Sequence, residues 1–74
     1  MNEYVINVVR IEELQTLNDT GELEKIFSRA RSAIVNGEKV ILIRKSNNLP
    51  AEKFDELSTL EELGQYKKTV FKYL

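Results

Sequence analysis

Residues 19–45, "DTGELEKIFSRARSAIVNGEKVILIRK", hold the two most clearly patterned elements of this 74-residue chain. Their first part repeats apolar residues at spacings of three and four, which predicts an amphipathic helix over about 21–36. Asp19 is a typical N-cap residue, and Gly37 supplies the left-handed backbone that ends many helices. The β-branched run that follows predicts a strand over about 39–45. A helix followed directly by a strand indicates a mixed fold.

Upstream of this stretch, residues 4–11 ("YVINVVRI") are rich in β-branched and aromatic side chains and predict another strand. Apolar residues occupy both of its faces, so we expect a strand covered on two sides. Leu14 and Leu17 then predict one short helical turn. The first half of the chain therefore reads as strand and then helix.

Downstream of the second strand, the sequence "LPAEKFDEL" (residues 49–57) lacks the alternation of a strand. This argues against a hairpin returning along the second strand. Pro50 suits the first turn of a short helix instead, because proline needs no backbone donor there. Phe54 and Leu57 are expected to pack that segment against the core.

The C-terminal segment predicts a last helix over about 59–73. Ser58 and Thr59 each precede a glutamate by three residues, which is the pattern of a capping box at a helix start. The alternative ends this helix near Gly64 and makes residues 69–74 a third strand. The helix is the preferred interpretation.

Together these elements predict a single α+β domain over residues 1–74, of β-α-β-α type. Its two strands span about 4–11 and 39–45, and helices over about 21–36 and 59–73 pack on them. Two strands alone are marginal in water. We therefore expect either a hidden third strand or a homodimer in which strands of two copies join into one sheet, and we favour the homodimer.

The composition narrows the function. The net charge is −1, with 42% hydrophobic and 31% charged residues, as in a globular protein without strong electrostatic steering. Cysteine and histidine are absent. Disulfides, cysteine-based zinc sites and catalysis by either residue type are thereby excluded. No apolar run approaches a membrane span and no signal peptide is recognisable, so we expect a cytoplasmic protein that does not associate with membranes.

Two groups of residues are candidate sites. Arg44, Lys45, Asn47 and Asn48 form a basic, amide-rich loop that suits a phosphate or another ligand. The alternative is that the two bases protect a strand end while the asparagines form a turn. Near the C-terminus, Tyr66, Val70, Phe71 and Tyr73 have helical spacing and are expected to form an interface or to complete the core.

No motif for a cofactor or a metal is recognisable. The acidic residues around Gly21 lack the spacing of a calcium loop and are explained by helix capping. The paired carboxylates at 12–13, 55–56 and 61–62 are expected to stay solvated rather than to form a catalytic pair across a cleft.

These observations predict a small non-enzymatic interaction or regulatory module that acts through homodimerisation or a protein partner. A DNA-binding regulator is the alternative, although no basic cluster indicates a nucleic acid. The order of strand, amphipathic helix, strand and late helix resembles that of prevent-host-death antitoxins, which are dimeric DNA-binding repressors. This resemblance implies DNA binding by a dimer. The predicted elements depart from it by lacking a hairpin after the second strand and a basic N-terminal surface.

Overall fold

The computed structural model describes residues 2–74, which form one three-stranded sheet and three helices. In chain order the elements are β1 (Glu3–Asn7), α1 (Val8–Thr16), α2 (Thr20–Val35), β2 (Lys39–Arg44), β3 (Glu52–Leu57) and α3 (Leu60–Lys72). The α+β class is confirmed. The count of two strands is wrong, because the chain supplies a third strand itself.

The central strand of the sheet is β2. It runs parallel to β1 and antiparallel to β3, so that Val5, Ile41 and Glu56 lie side by side in one row across the sheet. The parallel pair is joined through α1 and α2, and the antiparallel pair by the loop after Arg44. The outer sides of β1 and β3 are the two edges of the sheet.

All three helices pack against the same face of the sheet. The core consists of apolar residues from that face and from the inner sides of the helices: Ile6, Val8, Ile11, Leu14, Leu23, Phe27, Ala30, Ala33, Val40, Leu42, Leu57, Leu63 and Val70. Ile41 is also buried but is not part of this cluster, because successive side chains of β2 point to opposite faces. The result is a two-layer arrangement of sheet and helices.

The predicted strand over 4–11 is wrong in its second half. Asn7 ends β1 and caps α1, with its side-chain oxygen accepting from the Val9 N–H at 3.1 Å. Val8, Ile11 and Leu14 then lie on one buried side of the helix, at spacings of three. Residues 8–11 of the predicted strand belong to this helix, three of them β-branched, and tertiary packing overrides their strand propensity.

The predicted absence of a hairpin is also wrong. β3 returns antiparallel along β2, and the pairing shifts between Leu42, which faces Asp55, and Ile43, which faces Lys53. Phe54 is the extra residue of this bulge, and the bulge removes the alternation expected of a strand. Phe54 is 56% exposed instead of buried, although Leu57 does join the core. Pro50 precedes β3 and starts no helix.

The two long helices are confirmed. Asp19 caps α2 by accepting from the Glu22 N–H at 3.1 Å, and Gly37 follows the helix with φ of +82°. At the start of α3, Thr59 and Glu62 form the reciprocal capping box. Since α3 continues to Lys72, the alternative of a strand over 69–74 is wrong.

Among residues 2–74, no helix has the length and apolar character that crossing a membrane requires.

Candidate functional site

The first predicted site residue, Arg44, is held by an ion pair. Its guanidinium donates from both terminal nitrogens to the two carboxylate oxygens of Glu12, each at 3.0 Å. This bidentate contact joins the end of β2 to α1, and hydrogen bonding to Arg44 lowers the pKa of Glu12 below its ordinary value. Both side chains remain about half exposed. An external anion would have to compete with Glu12 for Arg44.

The rest of the predicted loop site forms a turn. Lys45 is bound through its backbone, whose N–H donates to the Asn7 side-chain oxygen at 3.2 Å and whose carbonyl accepts from the Asn7 amide at 3.1 Å. Asn48 adopts a left-handed backbone with φ of +65°. Asn47 beside it is exposed, and among the described residues neither asparagine bonds to Arg44. The four residues therefore do not form one ligand site.

Arg44 instead lies beside the predicted C-terminal interface residues. A cleft of about 290 Å³ opens between α1, β3 and α3, and it is lined in part by Arg44, Tyr66, Val70 and Tyr73. We call it the aromatic cleft, since Phe54 also contributes to its wall. The sequence placed these residues in two separate groups because it offered no sign that β3 carries Phe54 to the same place.

The four predicted interface residues differ in burial. Val70 is a core residue, and Phe71 packs against the core with its ring centroid 6.0 Å from that of Phe27. Tyr66 is partly buried, 5.7 Å from the same ring, and burial raises its pKa to about 12. Tyr73 alone is largely exposed, at 70%.

A second cleft, of about 330 Å³, lies between α2 and α3. Lys67 crosses it and donates to Glu24 at 3.1 Å. The Lys67 ammonium also lies 5.5 Å from the centroid of the Phe71 ring. These contacts of Lys67 link the two helices.

The opposite face of the sheet carries a surface that the sequence reading missed. Val5, Ile41 and Ile43 lie there, away from the helices, and we call them the uncovered face. Val5 is 51% exposed, whereas Ile41 of the central strand is buried between Val5 and Glu56 of the flanking strands. Around them, Glu56 binds both Lys39, at 3.2 Å, and Lys53. The mistaken expectation that β1 was covered on two sides concealed this surface.

The two edges of the sheet differ in chemistry. β3 carries four charged residues and a bulge, features that discourage pairing with another strand. β1 carries a single charged residue, Glu3, beside Tyr4, Val5 and Ile6. No turn, cap or side-chain hydrogen bond among residues 2–74 involves the backbone of Tyr4, Val5 or Ile6. The outer edge of β1 is therefore the less protected of the two.

A narrow groove of about 160 Å³ lies beside this edge. It is bordered by β1 on one side and by Arg10 and Ile26 on the other. Arg10 is exposed and has only a long contact with Glu13, at 3.7 Å. The groove therefore places one basic and one apolar side chain beside this edge.

Within residues 2–74, no cluster of three or more acidic side chains is placed to hold a metal ion. The chain matches no family model, no curated protein and no solved structure. Its function is therefore inferred from its own residues.

Proposed function

We propose that this chain is a binding module that acts as a homodimer through the side of the sheet that bears Val5. The observation that carries this proposal is the uncovered face, which extends to the less protected edge at β1. Val5 is half exposed where this face meets the open edge, so contact with a second copy at that edge removes apolar surface from water. A pair of identical modules then presents a two-fold surface to further partners.

Binding rather than catalysis is favoured because one carboxylate of each pair has a structural role. Glu12 binds Arg44, and Glu56 binds two lysines. Glu62 accepts hydrogen bonds from the backbone N–H groups of Ser58 and Thr59, at 3.0 and 3.1 Å. The bond from Ser58 is the main cause that lowers the pKa of Glu62. Each of these three carboxylates makes contacts within the fold. These contacts account for the three residues without a role in acid–base chemistry.

The test is the molar mass in solution by light scattering, over a concentration series, for the wild type and for Val5→Lys. We expect the wild type to dimerise with increasing concentration. Val5→Lys should raise the dissociation constant at least tenfold, or about 1.4 kcal/mol, because an apolar contact is lost and two ammonium groups come together.

The matched control is Val35→Lys, which places the same substitution on an exposed valine of α2, away from the sheet face. It should dimerise like the wild type. A wild-type chain that remains monomeric at the highest concentration would contradict the proposal, and so would equal effects of the two substitutions.

A second candidate function is a DNA-binding regulator, and the β2–β3 hairpin is the observation that favours it. The hairpin removes one of the two departures from the prevent-host-death antitoxin pattern. The other departure stays, since the N-terminal part of the chain carries Arg10 next to Glu12 and Glu13. Arg44 borders the hairpin loop and is half exposed, so it is the base that we assign to phosphate contact.

An electrophoretic mobility shift with duplex DNA at low and moderate salt tests this candidate. We expect a shift that weakens with salt and that Arg44→Ala reduces. Glu12→Gln should strengthen it, because the substitution weakens the competing ion pair and frees the guanidinium. Absence of a shift at low salt for both the wild type and Glu12→Gln would rule out this role.

A further inference from the structure

The geometry points to a specific pairing at the β1 edge: we propose that β1 pairs antiparallel with β1 of a second copy, with the two Val5 residues opposite each other on the two-fold axis. This inference rests on the proposed homodimer and names its contact. The product is a continuous six-stranded sheet with helices on one face only.

The backbone of β1 is available for this pairing. β1 pairs with β2 on one side only, and the outward-pointing N–H and C=O groups of Tyr4, Val5 and Ile6 take part in no turn, cap or side-chain hydrogen bond among residues 2–74. Five residues per strand form about four to six main-chain hydrogen bonds in an antiparallel ladder. These hydrogen bonds replace those that the same backbone groups make to water in the monomer. β1 has only one charged side chain that could discourage such pairing.

The side chains of β1 are complementary to themselves in this register. With Val5 on the axis, Tyr4 lies opposite Ile6 of the second copy, and Glu3 lies opposite Asn7. An aromatic residue opposite a β-branched one is a favourable cross-strand pair, and an acid opposite an amide avoids repulsion. No like charges face each other. This self-complementarity is the reason for choosing a second copy over an unrelated strand as the occupant.

The groove beside β1 adds contacts on the helix side. Ile26, which is partly buried, borders the groove and offers an apolar contact to a strand added at this edge. On the other side of the sheet, the row of Ile41 and Val5 continues into the same row of the second copy. Both sides of the new pair are therefore apolar at the centre.

The β3 edge does not offer an equivalent contact. Each β3 strand, "EKFDEL", carries three acidic residues and one lysine. An antiparallel pair of two β3 strands would therefore bring six acidic side chains together with only two lysines. The bulge at Phe54 also interrupts a regular ladder. The β1 edge is thus better suited than the β3 edge to pair with a second copy, and we assign the dimer contact to β1.

Disulfide cross-linking tests the register, since the chain contains no cysteine of its own. In Val5→Cys the two Cα atoms would lie about 4.5–5.5 Å apart, which suits a disulfide. In Glu3→Cys, the control on the same strand, they would lie about 14 Å apart, beyond the reach of one. Each variant is oxidised under mild conditions, the rate of dimer formation is read on non-reducing gels, and the molar mass of the reduced form is measured.

We expect Val5→Cys to cross-link at least tenfold faster than Glu3→Cys, with both reduced variants dimeric. Dimeric variants in which Val5→Cys has no such advantage would overturn the edge pairing and leave the homodimer standing on another contact, such as stacked uncovered faces. Faster cross-linking of Glu3→Cys would overturn the register. Monomeric wild type and variants, with slow cross-linking throughout, would overturn the inference and the proposed homodimer together.

Discussion

Replacing Phe27 with alanine is expected to lower the free energy of unfolding by about 3–5 kcal/mol, the usual range for an aromatic side chain deleted from a core. Phe27 is 2% exposed, and its ring lies within 6.0 Å, centroid to centroid, of the rings of Tyr66 and Phe71. The substitution leaves a cavity between α2 and α3. A domain of this size has only about 4–11 kcal/mol of stability, so Phe27→Ala removes a large part of it.

The measurement is urea unfolding followed by circular dichroism, and Phe54→Ala is the matched control. Phe54 is the same residue type but 56% exposed at the bulge of β3, so its removal should cost only about 1 kcal/mol, the typical loss for a point substitution. If the two substitutions had similar effects, the assignment of Phe27 to the core and of Phe54 to the surface would be wrong.

The second large effect is expected for Leu14→Ala, which should cost about 2–5 kcal/mol. Leu14 is 1% exposed and belongs to the buried side of α1. Leu17, just past the end of the same helix, is 71% exposed. Leu17→Ala should therefore stay within about 0.5 kcal/mol of the wild type.

Unfolding in urea of both leucine variants measures this difference. It also tests the largest correction to the sequence reading, since a single turn in which Leu14 and Leu17 act as equal anchors would give two similar losses. Equal losses would contradict the helix and its orientation.

The sequence predicted well those elements that are regular in themselves. α2 has an N-cap at Asp19, a glycine after its end and an uninterrupted apolar stripe, so local rules determine it. The same holds for the capping box at Thr59 and Glu62. For β2, a short run of β-branched residues after a helix was enough to predict the strand.

The elements that the sequence misplaced depend on distant partners. Val8 and Val9 have strand propensity, yet the side chain of Asn7 begins a helix there and at the same time binds the backbone of Lys45, 38 residues away. β3 is an edge strand with a bulge, so its pattern is set by its pairing with β2 rather than by its own alternation. The periodicity of the local sequence indicates neither of these two features.

The candidate sites also differ in whether local sequence or distant contacts determine them. The turn around Asn48 was among the interpretations open from the sequence, because asparagine tolerates left-handed backbone. The ion pair of Arg44 with Glu12 and the aromatic cleft were not, since each joins segments more than 20 residues apart. The uncovered face was missed because it depends on which side of the sheet the helices occupy.

The register of the sheet also bears on the order in which it forms. In the parallel pair, Glu3 meets Lys39 across about 36 residues of chain, whereas Arg44 meets Glu52 across about 8. Closing the longer loop costs about 1.3 kcal/mol more in chain entropy. We therefore expect the hairpin to form early and β1 to join it late, an order that pulsed hydrogen exchange would reveal strand by strand. Until β1 joins, the edge of β2 is open to β1 of any neighbouring chain, so the same topology that ends in a folded protomer also gives a route to exchange of strands between copies.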